Sequence, residues 1–143
     1  GVQTCALPIF VDGGIKNSGD MVKAFAAGAH FVMCGSILAG TDESPGEIYI
    51  DSNDMKMKNY RGMASREAQN NWRGKSSAPE GISTFIKHKG SVTPILDDIR
   101  GNIQSGLSYA GARNLQQLLD NAQFVQQTSA GLNESFTHIL NKK

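Results

Sequence analysis

The chain has 143 residues and a formal net charge of +1 at pH 7, with 39% hydrophobic and 19% charged residues, which is the profile of an ordinary globular protein. The near-neutral charge gives no electrostatic basis for binding nucleic acid, and no apolar stretch approaches the roughly 18 residues that a membrane span needs. Two cysteines are too few for a disulfide framework. The composition therefore predicts a protein of the reducing cytoplasm.

The first nine residues, GVQTCALPI, do not read as a secretory signal, because they contain no Lys or Arg. They resemble the translated end of a common sequencing-library adapter. We therefore expect residues 1–9 to be an artefact fused to residues 10–143, so that Cys5 carries no biological information. The alternative is a native strand, since residues 7–11 are apolar and suit a buried parallel sheet.

Residues 10–11 are apolar and run into Asp12-Gly13-Gly14, which predicts a strand followed by a tight turn. A helix is expected next, with Ser18 as its N-cap and Gly28 at its end. A second apolar run at 31–34 leads to Gly35-Ser36, and a short helical stretch should begin near Ile37. Strand, helix and strand in this order predict parallel strands joined by a crossover helix, in an α/β layer or barrel.

The composition changes between residues 41 and 90, where polar residues dominate and the periodicity of apolar residues is weak. We interpret this segment as a long excursion of the kind that forms functional lids or disordered loops. Helical periodicity resumes over 92–103, with Pro94 near the helix start, and again over 115–119. The tail from Gln123 is expected to form a brief strand and then an extended arm.

The two glycine loops indicate an anion site. If the two strands are neighbours, Gly13-Gly14 and Gly35-Ser36 lie side by side and offer backbone N–H groups with no Cβ in the way. Asp12, at the end of its strand, is then placed to accept hydrogen bonds from a ribose diol. A sugar phosphate fits these features, and the alternative is that the glycines form only a turn and Asp12 only a cap.

Several motifs in order resemble the last two strands and the C-terminal part of the catalytic barrel of the IMP dehydrogenase and GMP reductase family. They are FVDGGIKNSGD at 10–20, MCGSILAGT at 33–41, YRGM at 60–63, PEG at 79–81, SGLSYAGA at 105–112 and AGLNES at 130–135. The resemblance implies a C-terminal fragment of a (β/α)8 TIM barrel, an incomplete barrel with about the last two β/α units, a flap at about 41–90 and a C-terminal arm.

The resemblance also implies a site for a purine nucleoside monophosphate, IMP or GMP. In the family, the residue matching Asp12 holds the ribose, and the phosphate is bound by backbone groups matching the Gly13-Gly14 and Gly35-Ser36 loops and by the hydroxyl matching Tyr60. The base would lie against Met63, with the backbone of Gly62 and Ala64 at the purine edge. Ala64 departs from the glycine usual in IMP dehydrogenases.

The chemistry implied is hydride transfer between NAD or NADP and purine C2, with a covalent bond from a cysteine to that carbon. That cysteine matches a loop upstream of Phe10 and is not in this chain. Cys34, in an apolar run, is expected to be a buried small hydrophobe. We therefore expect the fragment to be inactive alone, and we expect a parent homotetramer. The resemblance also implies a monovalent cation, K+, at the arm residues Glu134, Ser135 and Phe136.

Two reactions remain open: oxidation of IMP to XMP with NAD, and reduction of GMP to IMP with NADPH. The Gly35-Ser36 loop, the YRGM motif and the arm favour the dehydrogenase. The flap favours the reductase, because it is short, lacks an Arg-Tyr pair that activates water, and has a reductase-like segment at 64–68. Glu80 is the candidate catalytic residue of the chain and would relay protons in a reductase or touch the purine edge in a dehydrogenase. Arg73 is interpreted as a solvent-exposed charge.

A non-redox phosphate-binding barrel is a further alternative, since fold does not fix function. Two strands of an eight-stranded barrel would also leave apolar faces without partners, around Phe25, Phe31, Ile95 and Ile99. Marginal stability or aggregation is therefore expected when the chain is expressed alone.

Overall fold

A computed structural model describes residues 8–75 and 83–135 of the chain. Two small sheets and five helices follow in chain order. The elements are β1 (Phe10–Val11), α1 (Ser18–Ala26), β2 (Phe31–Val32), β3 (Ile48–Ile50), β4 (Lys56–Arg61), α2 (Arg66–Arg73), β5 (Ser83–Lys87), α3 (Thr93–Tyr109), α4 (Leu115–Asn121) and α5 (Ser129–Glu134). In these two stretches no helix is long and apolar enough to cross a bilayer.

The first unit is β1-α1-β2, and it confirms the predicted α/β arrangement. β1 pairs with β2 in parallel, with Phe10 opposite Phe31, and the two rings stack with centroids 4.7 Å apart. The helix begins one residue earlier than expected: its N-cap is Asn17, whose side chain accepts from the Asp20 N–H, and not Ser18. The part of the chain that the structure describes contains these two parallel strands and no closed barrel.

The second unit corrects the interpretation of residues 41–90 as a loop excursion. β3, β4 and β5 form an antiparallel sheet in that order, and α2 lies between β4 and β5 in the chain. Strand β4, with the sequence KMKNYR, is polar at most positions, so it lacks the apolar alternation from which a strand is predicted. The pairing with β3 and β5 supplies the strand structure that the sequence pattern does not indicate.

Two further predictions of secondary structure are wrong. The helix expected near Ile37 is a single turn, in which the Leu38 and Ala39 N–H groups donate to the Gly35 carbonyl. The strand expected from Gln123 is absent from residues 122–128, and the tail instead forms the short helix α5. Both helices predicted from periodicity, α3 and α4, are present, and Pro94 lies in the first turn of α3 as expected.

Helix α1 packs against α3 and α4, and its Met21 is 2% exposed, as is Leu118 of α4. No residue of α3 is buried, and Phe10 and Phe31 are 61% and 50% exposed. Both strand phenylalanines therefore face solvent, whereas Phe25, Ile95 and Ile99, the other residues expected to lack partners, are half-buried. The marginal stability expected for the chain alone stays a prediction.

The contact between α1 and α3 is tight at Gly106. A Cβ built there would lie 2.7 Å from Cγ2 of Val22, a β-branched side chain with little rotamer freedom. We expect Gly106→Ala to destabilise the protein by about 1 kcal/mol, because overpacking of about 1–3 kcal/mol exceeds the roughly 1 kcal/mol gained in helix propensity.

Gly101 on the same helix is the matched control, since a Cβ there meets nothing within 4 Å. Gly101→Ala should stabilise the protein by up to about 1 kcal/mol. Urea denaturation of both variants measures the difference, and equal midpoints would contradict the close packing of α1 on α3.

Candidate functional site

The parallel pairing of β1 with β2 brings the two glycine loops to one edge of the sheet. Val11 is opposite Val32, so Asp12 and residues 33–36 leave the sheet in the same direction. Gly13 and Gly14 have φ angles of 89° and 77°, in the left-handed region that glycine adopts without strain. The side chain of Asp12 is exposed at this edge. The arrangement is that expected for a shared anion and hydroxyl site.

Tyr60, near the end of β4, reaches the second of these loops. A Cβ built on Gly35 would lie 3.3 Å from the Tyr60 hydroxyl oxygen, so glycine allows the phenol to approach the backbone there. Ser36 follows, exposed at the same turn. The structure thus brings together Gly35, Ser36 and Tyr60, three of the residues predicted to contact a phosphate.

A cavity of about 780 Å³ opens beside this cluster, within the range of about 300–1,000 Å³ typical of small-molecule sites. It lies between the turn after β2, the end of β4 and helix α2. Its walls include Cys34, Gly35, Tyr60, Met63 and Trp72. Of the predicted site residues, Gly35, Tyr60 and Met63 line the cavity, whereas Asp12, Gly13, Gly14, Ser36, Gly62 and Ala64 do not.

Of the base-side residues, Met63 lines the cavity and is 72% exposed, so it does not serve as a buried gap-filler. The Gly62 carbonyl accepts from the Ser65 N–H at 2.9 Å, and the Ala64 carbonyl accepts from Nε2 of Gln69 at 3.1 Å. These bonds fix the backbone between β4 and α2. Met63 is thereby presented on a braced turn at the wall of the cavity.

The reductase-like segment has a structural role in this fold. Ser65 is 1% exposed and caps α2 by accepting from the Ala68 N–H at 3.3 Å. Glu67 accepts from the Ser83 hydroxyl at 2.5 Å, which ties α2 to the start of β5. Both side chains are occupied in holding the helix, so their presence is explained without a catalytic role.

Cys34 corrects a prediction. Strand β2 ends at Val32, so Cys34 lies in the loop after it, is half-buried and lines the cavity. It is not the fully buried hydrophobe that the apolar run at 31–34 suggested. Arg73 behaves as expected, since it is exposed, with its guanidinium 4.8 Å from the centroid of the Trp72 ring.

Two predicted site residues, Glu80 and Phe136, fall outside the described residues, as do residues 1–7 with Cys5 and the PEG motif at 79–81. The other two arm residues lie at the C-terminal end of α5, Glu134 as its last residue and Ser135 as its C-cap. At this helix end the Gly131 and Leu132 carbonyls accept from the Ser135 N–H, and the K+ site stays a prediction. Within 8–75 and 83–135, no three His, Cys, Asp or Glu residues cluster as metal ligands.

Lys58 is a site-supporting residue that the sequence analysis missed. It is only 3% exposed, and its ammonium donates to the carbonyls of Thr41 at 2.9 Å, Asp42 at 3.4 Å and Ser44 at 2.6 Å. Lysine is among the residues least often fully buried, and nothing in the pattern of β4 marks this one. Its bonds hold the turn at 41–44, whose Thr41 and Ser44 also line the cavity.

Glu43 is the second missed residue, and it links the same turn to helix α3. Its carboxylate accepts from the Val92 N–H at 2.8 Å and the Ser91 hydroxyl at 3.1 Å. The N-cap of α3, Val92, has no side-chain cap of its own, so Glu43 caps this helix from 49 residues away. Hydrogen bonds from its own backbone N–H, and then from that of Val92, lower the pKa of Glu43 below 4.5.

A lowered pKa in the folded state means that the ionised Glu43 stabilises the fold above its unfolded pKa and loses this contribution as pH falls through the folded pKa. We therefore expect the Val92 amide to lose protection from hydrogen exchange below about pH 4.5, after correction for intrinsic exchange rates. Glu43→Gln should weaken protection at pH 6 and remove this pH dependence, whereas the exposed Glu47→Gln should change neither. Unchanged protection in Glu43→Gln would contradict the cap.

Parallel strands ending in glycine loops beside a cavity are the architecture of α/β proteins that bind anionic ligands at the carboxyl edge of a sheet. Comparison with known proteins gives the family. The IMP dehydrogenase / GMP reductase domain matches residues 2–138, and the chain belongs to this family.

Curated relatives named inosine-5'-monophosphate dehydrogenase include those of Nitrosopumilus maritimus, 42% identical over 92% of this chain, and Streptococcus pyogenes, 46% identical over 91%. A solved structure of a GMP reductase variant from Trypanosoma brucei, in complex with guanosine 5'-monophosphate, is 41% identical over 92% of this chain with a TM-score of 0.82. The chain spans 30%, 28% and 28% of the lengths of these three proteins.

Proposed function

We propose that this chain forms the phosphate and ribose side of a purine nucleoside monophosphate site in an NAD-dependent oxidoreductase that converts IMP to XMP. The observation that carries the proposal is the approach of the Tyr60 hydroxyl to Gly35 at the edge where both glycine loops leave parallel strands. Such a cluster offers N–H and O–H donors to a phosphate, with the Asp12 carboxylate beside it as an acceptor for ribose hydroxyls.

We further propose that β1-α1-β2 is the end of a (β/α)8 barrel. The exposed faces of Phe10 and Phe31 would pack on strands outside these residues. The nicotinamide would supply the hydride chemistry when bound, while this chain binds the nucleotide and orients its base against Met63. Since the nucleophilic cysteine expected for the family has no match here, the chain alone should not turn over. The K+ site, a homotetramer and Glu80 as a proton relay stay predictions.

The dehydrogenase direction is favoured because Ser65 and Glu67, the reductase-like features, are accounted for by the capping and anchoring of α2. The relatives from Nitrosopumilus maritimus and Streptococcus pyogenes carry the dehydrogenase name. The second candidate is a GMP reductase using NADPH. The similarity to the Trypanosoma brucei structure, at a TM-score of 0.82, supports it.

Two hybrid enzymes separate the candidates. Residues 10–143 would replace the matching C-terminal segment of the Streptococcus pyogenes IMP dehydrogenase, giving the dehydrogenase hybrid, and of the Trypanosoma brucei GMP reductase, giving the reductase hybrid. Each is assayed with IMP and NAD and with GMP and NADPH, by the absorbance of the reduced nicotinamide. The two unmodified parent enzymes are the controls.

The proposal expects IMP-dependent formation of NADH in the dehydrogenase hybrid and loss of GMP reduction in the reductase hybrid. Retained GMP-dependent consumption of NADPH, with no oxidation of IMP, would assign the chain to the reductases. Two folded hybrids without either activity would contradict both and favour a non-redox phosphate binder.

A further inference from the structure

Lys89 was not predicted to be a site residue, yet its side chain binds the loop after β2 that carries Gly35 and Ser36. It follows strand β5, and its ammonium donates to the Ser36 carbonyl at 2.9 Å and to the Ile37 carbonyl at 3.0 Å. Lys89 lies 53 residues after Ser36 and 52 residues after Ile37 in the chain. The bonds therefore connect the far end of the 41–90 segment to the turn that carries Gly35.

The peptide groups held by Lys89 are trans, because the described residues contain no cis peptide. In a trans peptide the C=O and N–H point in opposite directions, so drawing the Ser36 carbonyl toward Lys89 turns the Ile37 N–H away from it. A cation at the carbonyl also polarises the peptide and strengthens its N–H as a donor. The N–H groups of Gly35, Ser36 and Ile37 donate no hydrogen bond to any acceptor within residues 8–75 and 83–135. These donors are available to an anion.

The backbone fixes Lys89 against the same turn. Its N–H donates to the Gly40 carbonyl at 2.8 Å, and Gly90 forms a parallel bridge with Thr41. Gly40 has a φ of 83°, and a Cβ there would lie 2.7 Å from the Lys87 carbonyl oxygen. The two chain segments are thus in close contact, and the backbone holds Lys89, whose side chain is exposed, beside the Ser36 and Ile37 carbonyls.

We propose that Lys89 is a positioning residue for phosphate binding, which orients the Ile37 N–H through the Ser36 carbonyl and couples the end of the flap to affinity for the phosphate group. The proposal rests on the phosphate site of the proposed function. Lys89 acts through the peptide groups and does not touch the ligand.

The test uses the dehydrogenase hybrid with Lys89→Met, Lys89→Arg and, as matched control, Lys87→Met, an exposed lysine two residues earlier for which no side-chain hydrogen bond is found in the described chain. Binding of ribose 5-phosphate and of inosine, which lacks the phosphate, is measured by calorimetry, together with kcat and KM for IMP. Lys89→Met should weaken ribose 5-phosphate binding and raise KM about tenfold, because a misaligned Ile37 N–H would lose roughly one hydrogen bond to the charged phosphate. Inosine binding and kcat should change less than about twofold.

Amide exchange of Leu38 and Ala39, whose N–H groups donate to the Gly35 carbonyl at 3.2 and 3.0 Å, separates positioning from direct contact when it is measured without ligand. Positioning predicts faster exchange there in Lys89→Met, rescue by Lys89→Arg and no change in Lys87→Met. Unchanged exchange with weakened phosphate binding would overturn it in favour of a direct contact. Equal losses for inosine and ribose 5-phosphate, or no loss at all, would also overturn it. If the hybrid binds ribose 5-phosphate but oxidises no IMP, the proposed function fails while the binding and exchange data still test Lys89.

Discussion

Asp12→Ala in the dehydrogenase hybrid should lower kcat/KM for IMP about 100-fold. Two hydrogen bonds from ribose hydroxyls to a carboxylate are charge-assisted and contribute about 1.5 kcal/mol each, which sums to about two powers of ten. The exposed position of Asp12 where β1 ends, beside the glycine loops, makes it available for such bonds. Asp12→Asn keeps one acceptor and loses the charge, so a loss of about tenfold is expected.

A double-mutant cycle tests the partner of Asp12. If it binds the ribose diol, removal of a ribose hydroxyl from the substrate and Asp12→Ala should have non-additive effects. The control is Asp97→Asn, since Asp97 is exposed on α3 and pairs only locally with Arg100 at 3.0 Å; it should change kcat/KM less than about twofold. Additive losses, or a loss below about threefold in Asp12→Ala, would remove the ribose assignment.

Lys58→Met is expected to destabilise the hybrid by about 3 kcal/mol. The substitution keeps most of the apolar volume but removes the hydrogen bonds that the ammonium donates to the Thr41 and Ser44 carbonyls. A buried acceptor left without a donor costs about 1–3 kcal/mol. The Ser44 hydroxyl still donates to the Thr41 carbonyl at 2.8 Å, so the largest loss should fall on Ser44. The free energy of unfolding from urea denaturation measures the total.

Amide exchange of residues 41–44 locates the effect, because local opening of the turn should precede global unfolding. Lys56→Met is the matched control: Lys56 lies on β4 two residues earlier and is exposed, so its change should stay within about 0.5 kcal/mol. Equal destabilisation by both substitutions would show that the carbonyl contacts of Lys58 contribute little.

The β1-α1-β2 unit and the long helices were predictable from local pattern. Helix α3 repeats apolar residues at Ile95, Ile99 and Ile103, and such spacing gives one face of a helix whatever it packs against. The Asp12-Gly13-Gly14 turn is likewise local, because positive φ at two successive residues requires glycine. Within these elements the error, as in the N-cap at Asn17, is a residue or so at an element boundary.

The β3-β4-β5 sheet was not predictable, because β4 is stabilised by strands that follow and precede it rather than by apolar alternation. Its Lys58 is buried only because the carbonyls of Thr41, Asp42 and Ser44 converge on it. A lysine in a polar run carries no signal of such a partner, since the free energy of burying its charge depends on contacts distant in sequence.

The sequence alone determined the glycine loops, the crossover helix and the family motifs, since each rests on residue types within a few positions of one another. The tertiary structure decided which distant groups meet: Tyr60 with Gly35, Glu43 with the start of α3, and Lys89 with the turn after β2. Those contacts depend on the pairing of β4 with β5 and of Thr41 with Gly90. Pairing of this kind is set by long-range packing and hydrogen bonding, which local propensity does not encode.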